Sequence, residues 1–282
     1  MAKLGDYRNA EVTACHSVLV EVITVLGGFR DSVVIVGGNV PRLLIPDARV
    51  RHPGTLDIDL ALDARRIPRQ TYRTILQTLM QAGYQVESSQ PYVLRRDVTD
   101  ETSRRTISVQ VDLLAGEYGG TGKSHRTQRV QDAHPRKARG CDLAFDNPIL
   151  VTIEGELPDG GRNKVQVKVA AIGPFLVMKG MALWDRKNEK DAFDIYYCCR
   201  HYPGGLPALA KDVRPMLNSS VGREGLEKIR AKFETIDMIG PVWVMQFSEQ
   251  DDPEARQALQ REAFELINAL LDQLGVGLFT AK

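Results

Sequence analysis

"VVIVGGNVPRLLIPDARVRHPGTLDIDLAL", Val33 to Leu62, sets two apolar strands around a glycine turn and places Asp57 and Asp59 inside the second strand. Four β-branched residues, Val33 to Val36, have the composition of a strand covered on both faces. Gly37-Gly38-Asn39 then turns the chain into a short helix near Val40 to Leu44. Thr55 to Leu62 alternates, so Leu56, Ile58 and Leu60 point one way and Asp57 and Asp59 the other, out of the core. Two carboxylates so close repel unless a hard cation, Mg²⁺ or Mn²⁺, takes their oxygens. The other reading of this pair is the solvated face of an edge strand.

Working outward, Val12 to Leu26 has helical spacing and stops at Gly27-Gly28, and Ile75, Leu76, Leu79 and Met80 mark a helix closed by Gly83. Tyr92 to Arg95 pairs with Thr106 to Leu114, and Ile149 to Glu156 with Lys164 to Ala170 across a turn-rich Leu157 to Gly161. In Ile107 to Asp112 the alternation buries Ile107, Val109 and Val111 and puts Asp112 on the face of Ser108 and Gln110, a third carboxylate for the same cation. The glycines Gly37 and Gly38 let a phosphate approach the backbone, beside the N–H groups of the helix that follows. Paired metal ions held by such carboxylates activate an attacking hydroxyl and stabilise a leaving pyrophosphate.

After Gly173 strand patterns vanish and helical ones take over. The expected organisation is an α/β (α+β) domain with a mixed sheet over 1–172, followed by a helical domain over 173–282 that completes the cleft. The last helix, Pro253 to Leu274, has Asp252 as its N-cap and Gly275 after it.

The order of these motifs, Gly-Gly helix start, DxD strand and a later Asp, resembles the polymerase-β-like nucleotidyltransferase superfamily, with Asn39 where many members have Ser. "FLVMKGMALWDRKNEKDAFDIYY", Phe175 to Tyr197, with Arg51 and Thr55 ahead of Asp57, narrows it. That set resembles the AbiEii/MenT-type nucleotidyltransferases, toxins of type IV toxin–antitoxin and abortive-infection systems, over Val33 to Tyr197. The resemblance implies Gly37, Gly38, Asn39 and Thr55 at the nucleotide and Lys179 on the triphosphate. It implies Asp57 and Asp59 as catalytic metal ligands, and Asp191 or Asp194 in support. It further implies an NTP substrate, an RNA acceptor such as a tRNA 3′ end, and a cognate antitoxin protein. A small-molecule acceptor of the aminoglycoside kind, or a protein that binds NTP without turnover, shares the same motifs.

The 282 residues carry 37 Lys and Arg against 36 Asp and Glu, so any polyanion site is local. One candidate for RNA contact is the stretch Lys123, Arg126, Arg129, Arg136, Lys137 and Arg139, for which a solvated loop is the other reading. Gly116 and Gly122 enclose five residues where a P-loop needs four, which excludes a Walker ATPase. Four cysteines without a CxxC pair point to no disulfide framework or zinc, and Trp184 and Trp243 to filler. Uninterrupted apolar runs are too short for a membrane span, and the expected location is the cytoplasm.

Overall fold

The computed structural model describes residues 4–7, 9–63, 69–100, 103–116 and 136–278. Along the chain come α1 (Asn9–Leu26), β1 (Val33–Val36), α2 (Asn39–Leu44), β2 (Asp57–Leu62), α3 (Arg69–Gln81), β3 (Gln85–Glu87), β4 (Gln90–Thr99), β5 (Thr106–Ala115) and β6 (Arg136–Lys137). The hairpin β7 (Ile149–Glu156) and β8 (Arg162–Val169) follows, then α4 (Ile172–Asp185), α5 (Glu189–His201), α6 (Gly205–Val213), α7 (Ser220–Lys232), α8 (Ile239–Phe247) and α9 (Pro253–Leu274). The architecture is mixed α/β with a helical second part.

Two compact units divide the chain: Arg8–Val40 with Gly54–Ala171, and Met1–Tyr7 with Pro41–Pro53 and Ile172–Lys282. The first holds one mixed sheet in the order β3-β4-β5-β2-β1-β8-β7, with β6 added beside β5. β1 runs antiparallel to β2 and parallel to β8, while β2 and β5 are parallel. One sheet face carries Ile58, Leu60, Val109, Val111 and Leu113, each at most 1% exposed. Helix α1 supplies buried Val18, Leu19, Val22 and Ile23 to this core. Arg96 of β4 makes a bidentate pair with Glu21 of α1, both nitrogen–oxygen distances 3.0 Å.

Asn9–Ser32 is a 24-residue run with a window of mean hydropathy 1.7, long and apolar enough by those measures to cross a membrane. Counting only uninterrupted apolar runs overlooked it, because scattered polar residues such as Glu21 break the run without lowering its mean hydropathy much. In the structure α1 is the core helix of the sheet unit.

In the helical unit α4 and α7 approach at glycines. A Cβ on Gly180 would lie 2.0 Å from the Gly225 carbonyl oxygen, and one on Gly225 2.7 Å from that of Val177. Asp252 caps α9 as expected, its carboxylate accepting from the Glu254 and Ala255 amides, and Gly275 closes it at φ 71°. Trp243 is 7% exposed, but Trp184 is 39% exposed with the Lys232 ammonium 4.6 Å from its ring centre, so filler describes only the former.

Gly180→Ala is expected to cost about 1–3 kcal/mol in urea unfolding, since the obstacle is backbone and cannot swing aside. Gly28→Ala, whose added Cβ meets nothing within 4 Å, is expected to change stability by less than about 0.5 kcal/mol.

Candidate functional site

The register of β2 against β5 pairs Asp57 with Gln110 and Asp59 with Asp112. Residues paired across parallel strands share a face, so three carboxylates and Gln110 lie on the side opposite Ile58, Leu60, Val109 and Val111. Asp57 and Asp59 are half-buried and Asp112 is 5% exposed.

Neighbouring groups orient each carboxylate. Thr55 Oγ1 donates to Asp57 Oδ1. Gln110 Nε2 donates to Asp112 Oδ1 at 2.7 Å. The main chain of Asp57 is held through its carbonyl, which accepts from Cys15 Sγ at 3.5 Å and from Asn39 Nδ2 at 3.4 Å. Asn39 is thus buried, with its amide turned to the strand; its contribution is to fix the turn against β2.

Gly37, at φ 67°, stands against Asp59: an added Cβ would fall 1.8 Å from Asp59 Oδ2 and 2.7 Å from its Cγ. Glycine is required here twice over, by the left-handed backbone and by the carboxylate in the space a side chain would take. The sequence suggested glycine for the approach of a phosphate; the immediate neighbour is the second aspartate of DxD.

The Asp142 carboxylate, which the sequence reading did not single out, packs on Gly116 at the end of β5, where an added Cβ would lie 1.9 Å from its Oδ1. Adjacent Cys141 is fully buried, and burial, with the charges of Asp142 and Asp59, pushes its thiol pKa above the usual range. No local signal marks Asp142, since its place depends on the left-handed Gly140 and on contact with β5.

Of the basic stretch, Lys123, Arg126 and Arg129 lie outside the described residues. Arg136 and Lys137 are strand residues, paired with Leu114 and Ala115, and Arg139 is exposed beyond them. The solvated-loop reading therefore does not hold for Arg136 and Lys137.

Lys179, Asp191 and Asp194 belong to the helical unit. Lys179, 7% exposed, places its ammonium 2.7 Å from Asp191 Oδ1 and 2.7 Å from Asp194 Oδ2. Arg186 forks onto Asp191 at 2.8 and 3.0 Å, and Lys190 reaches both Asp194 oxygens at 2.8 and 3.0 Å. Burial opposes these charges. The summed pull of Asp191 and Asp194 nonetheless holds the Lys179 ammonium above its ordinary pKa, and the two lysines, with a hydrogen bond from His52, hold Asp194 well below the carboxylate range. All four cationic or polar partners reach Asp191 or Asp194 inside one unit, so what the structure directly shows for them is an ion-pair network.

His52 was not picked out by sequence, because nothing near it in the chain signals a partner. Its ring is buried and Nε2–H donates to Asp194 Oδ1 at 3.0 Å, since a carboxylate can only accept. Tyr197 stands edge-on to it, ring centres 4.8 Å apart, and the Tyr197 hydroxyl donates to the Val50 carbonyl at 2.9 Å. Burial lowers the His52 pKa to about 4, helped by Lys190 and Lys179 and opposed by Asp194.

Among the described residues no group of three or more His, Cys, Asp or Glu side chains is arranged to hold a metal ion by itself. The donor set nonetheless suits Mg²⁺, which binds through one or two carboxylates together with the phosphates of a substrate.

No family model matches the chain, and no curated protein matches it. Solved structures similar to it include a candidate nucleotidyltransferase from H. pylori, with 11% identity, a TM-score of 0.43, and 92% of this chain and 96% of that chain covered. Another is JHP933 from Helicobacter pylori, with 12% identity, a TM-score of 0.42 and 92% of each chain covered. A third is an antigenic nucleotidyltransferase-like protein from Paracoccidioides brasiliensis, with 13% identity, a TM-score of 0.41, and 96% and 95% covered.

Two outcomes are expected. Gly37→Ala costs about 1–3 kcal/mol, and part of that cost disappears in an Asp59→Ala background, because the clash goes and only the backbone strain remains; a double-mutant cycle by urea unfolding reads the difference. The second concerns pH. The folded His52 pKa of about 4 lies below its unfolded value of 6.5, so the folded state binds fewer protons. Its stabilising effect is complete above about pH 6.5 and is lost as pH falls toward 4. By pH 5 the loss is about 2 kcal/mol, a slope that His52→Gln removes; Asp191 and Asp194, with pKa values lowered from 3.8, add theirs only at lower pH.

Proposed function

We propose that the chain is a metal-dependent nucleotidyltransferase that moves a nucleotide from an NTP to an acceptor. The observation that carries this reading is the in-register pairing of Asp59 with Asp112, with Asp57 on the same face. Asp57 and Asp59 would hold Mg²⁺ or Mn²⁺ together with substrate phosphates, with Asp112 as a further carboxylate on the same face. The bound metal would supply charge neutralisation for the triphosphate and a lowered pKa for the attacking hydroxyl.

The chain's own residues set the geometry. Thr55 and Gln110 fix the rotamers of Asp57 and Asp112. Gly37 and Gly38 leave the turn beside Asp59 without a side chain, so a phosphate lying along that backbone comes within reach of a cation on the carboxylate. Asn39 ties the turn to β2 and so holds backbone and carboxylate in one relation.

The finer reading rests on the sequence motifs. They support an AbiEii/MenT-type enzyme, with an RNA acceptor such as a tRNA 3′ end. They also support a growth-inhibiting or phage-defence role in the cytoplasm, and an antitoxin partner. In that reading Lys179 contacts the triphosphate, and Asp191 and Asp194 hold the lysine in place. In the same reading Lys123, Arg126, Arg129, Arg136, Lys137 and Arg139 would be the residues that grip RNA.

The test is a transfer assay with purified protein, Mg²⁺, each α-labelled NTP in turn and total cellular RNA. Label is expected in an RNA band with one NTP only. Asp57→Asn, Asp59→Asn and Asp112→Asn each reduce transfer on the order of a hundredfold or more, since each removes part of a charge stabilisation of several kcal/mol. Thermal stability of these variants is unchanged or raised, because a like-charge repulsion goes with the carboxylate. Undiminished transfer by Asp57→Asn and Asp59→Asn sinks the metal assignment; label on an added aminoglycoside rather than RNA moves the acceptor to small molecules.

A further inference from the structure

The helical unit contains a cavity of about 380 Å³ at the start of α5, between the end of α8 and the start of α9. Its lining includes Glu189, the first residue of α5, which is 6% exposed and whose Oε2 has no hydrogen-bond partner. Glu249 and Asp251 of the loop joining α8 to α9 line the same cavity, together with Gln246 and Gln250.

A carboxylate removed from water needs a partner. The positive end of α5 offers some compensation, but a helix dipole offsets only a small part of the cost of burying a charge. The backbone donor at that helix start is already used, since Asn188 Oδ1 accepts from the Lys190 amide at 3.1 Å. Arg256 also lines the cavity, but its Nε donates to Met245 Sδ at 3.2 Å and it makes no ion pair with Glu189. The loop above is itself held in an unusual conformation. Glu249 sits at φ 50°, and one of its carboxylate oxygens accepts from the Gly5 amide at 2.8 Å.

We propose that this cavity binds a small organic cation bearing primary ammonium groups, with Glu189 as its buried counter-ion and Glu249 and Asp251 at the rim. A bare metal ion fits poorly: its ligands must crowd within about 2.6 Å of one point, and no three acidic side chains among the described residues are so arranged. Ammonium groups spaced along an aliphatic chain match carboxylates spread over a wall. Each group offers three donors to oxygens that have capacity to accept. The volume lies in the range of small-molecule sites. The inference is independent of the nucleotidyl-transfer reading, because it uses none of its residues.

The experiment is calorimetric titration of the full chain with spermidine, with putrescine and MgCl₂ as comparison probes, alongside thermal melting. Saturable spermidine binding is expected, weakened about tenfold or more by Glu189→Gln and less by Asp251→Asn. In melts without ligand Glu189→Gln is expected to unfold at the same or a higher temperature than the parent, and spermidine raises the melting temperature of the parent more than that of Glu189→Gln. Four results overturn the proposal. They are absence of saturable spermidine binding, binding unchanged by Glu189→Gln, tighter binding of Mg²⁺ than of spermidine, and a lowered melting temperature of Glu189→Gln. The last would mean that the carboxylate already has a structural partner. Glu249→Gln with Asp251→Asn reads the rim independently of Glu189, and undiminished spermidine binding by that double variant equally overturns the proposal.

Discussion

The parallel pairing of β2 with β5 puts Asp59 beside Asp112. At a sheet spacing of about 5 Å, with an effective dielectric of about 20, two such charges repel by about 3 kcal/mol. What holds them there is the opposite face. Slipping one strand by one residue would carry Ile58 and Leu60, or Val109, Val111 and Leu113, out of the core. Each buried aliphatic side chain contributes about 1.5–3 kcal/mol, so core burial outweighs the repulsion. The carboxylates are neighbours because the hydrophobic register leaves them no alternative, and a cation bound there would recover what the register gives up.

Gly37 belongs to the same constraint. Val36 pairs with Asp59 across β1 and β2, so the residue after the strand must pass directly by the carboxylate. A turn with any side chain would push Asp59 from its face or open the β1–β2 ladder. The glycine serves the carboxylate before it serves any ligand.

The helical unit shows charge burial resolved in two ways. Around Asp191 and Asp194, cations from α4, from α5 and from the α4–α5 link surround the anions, and His52 contributes a neutral N–H. Burying Lys179, Lys190, Asp191 and Asp194 is tolerable because each has a partner at hydrogen-bond distance, with exposed Arg186 adding to Asp191 from outside, and loss of one leaves the others uncompensated. Glu189, on the same helix as both aspartates, has no such partner for Oε2. The contrast between neighbours on one helix is what makes its isolation informative.

Elements that depend on local physics were legible in the sequence. The alternation of β2 and β5 assigned Asp57, Asp59 and Asp112 to the side away from the core, the turn at Leu157 to Gly161 announced the β7–β8 hairpin, and Asp252 and Gly275 bounded α9. Side-chain period, turn chemistry and capping act over a few residues, so a few residues suffice to read them. Tertiary structure alone decided that Pro41–Pro53 joins the helical unit, that His52 meets Asp194, that Arg96 meets Glu21, and that Arg136 and Lys137 extend the sheet. In each the partner lies far along the chain, and whether a charge ends in water, on a phosphate or against a distant carboxylate is set by which surfaces the packing brings together.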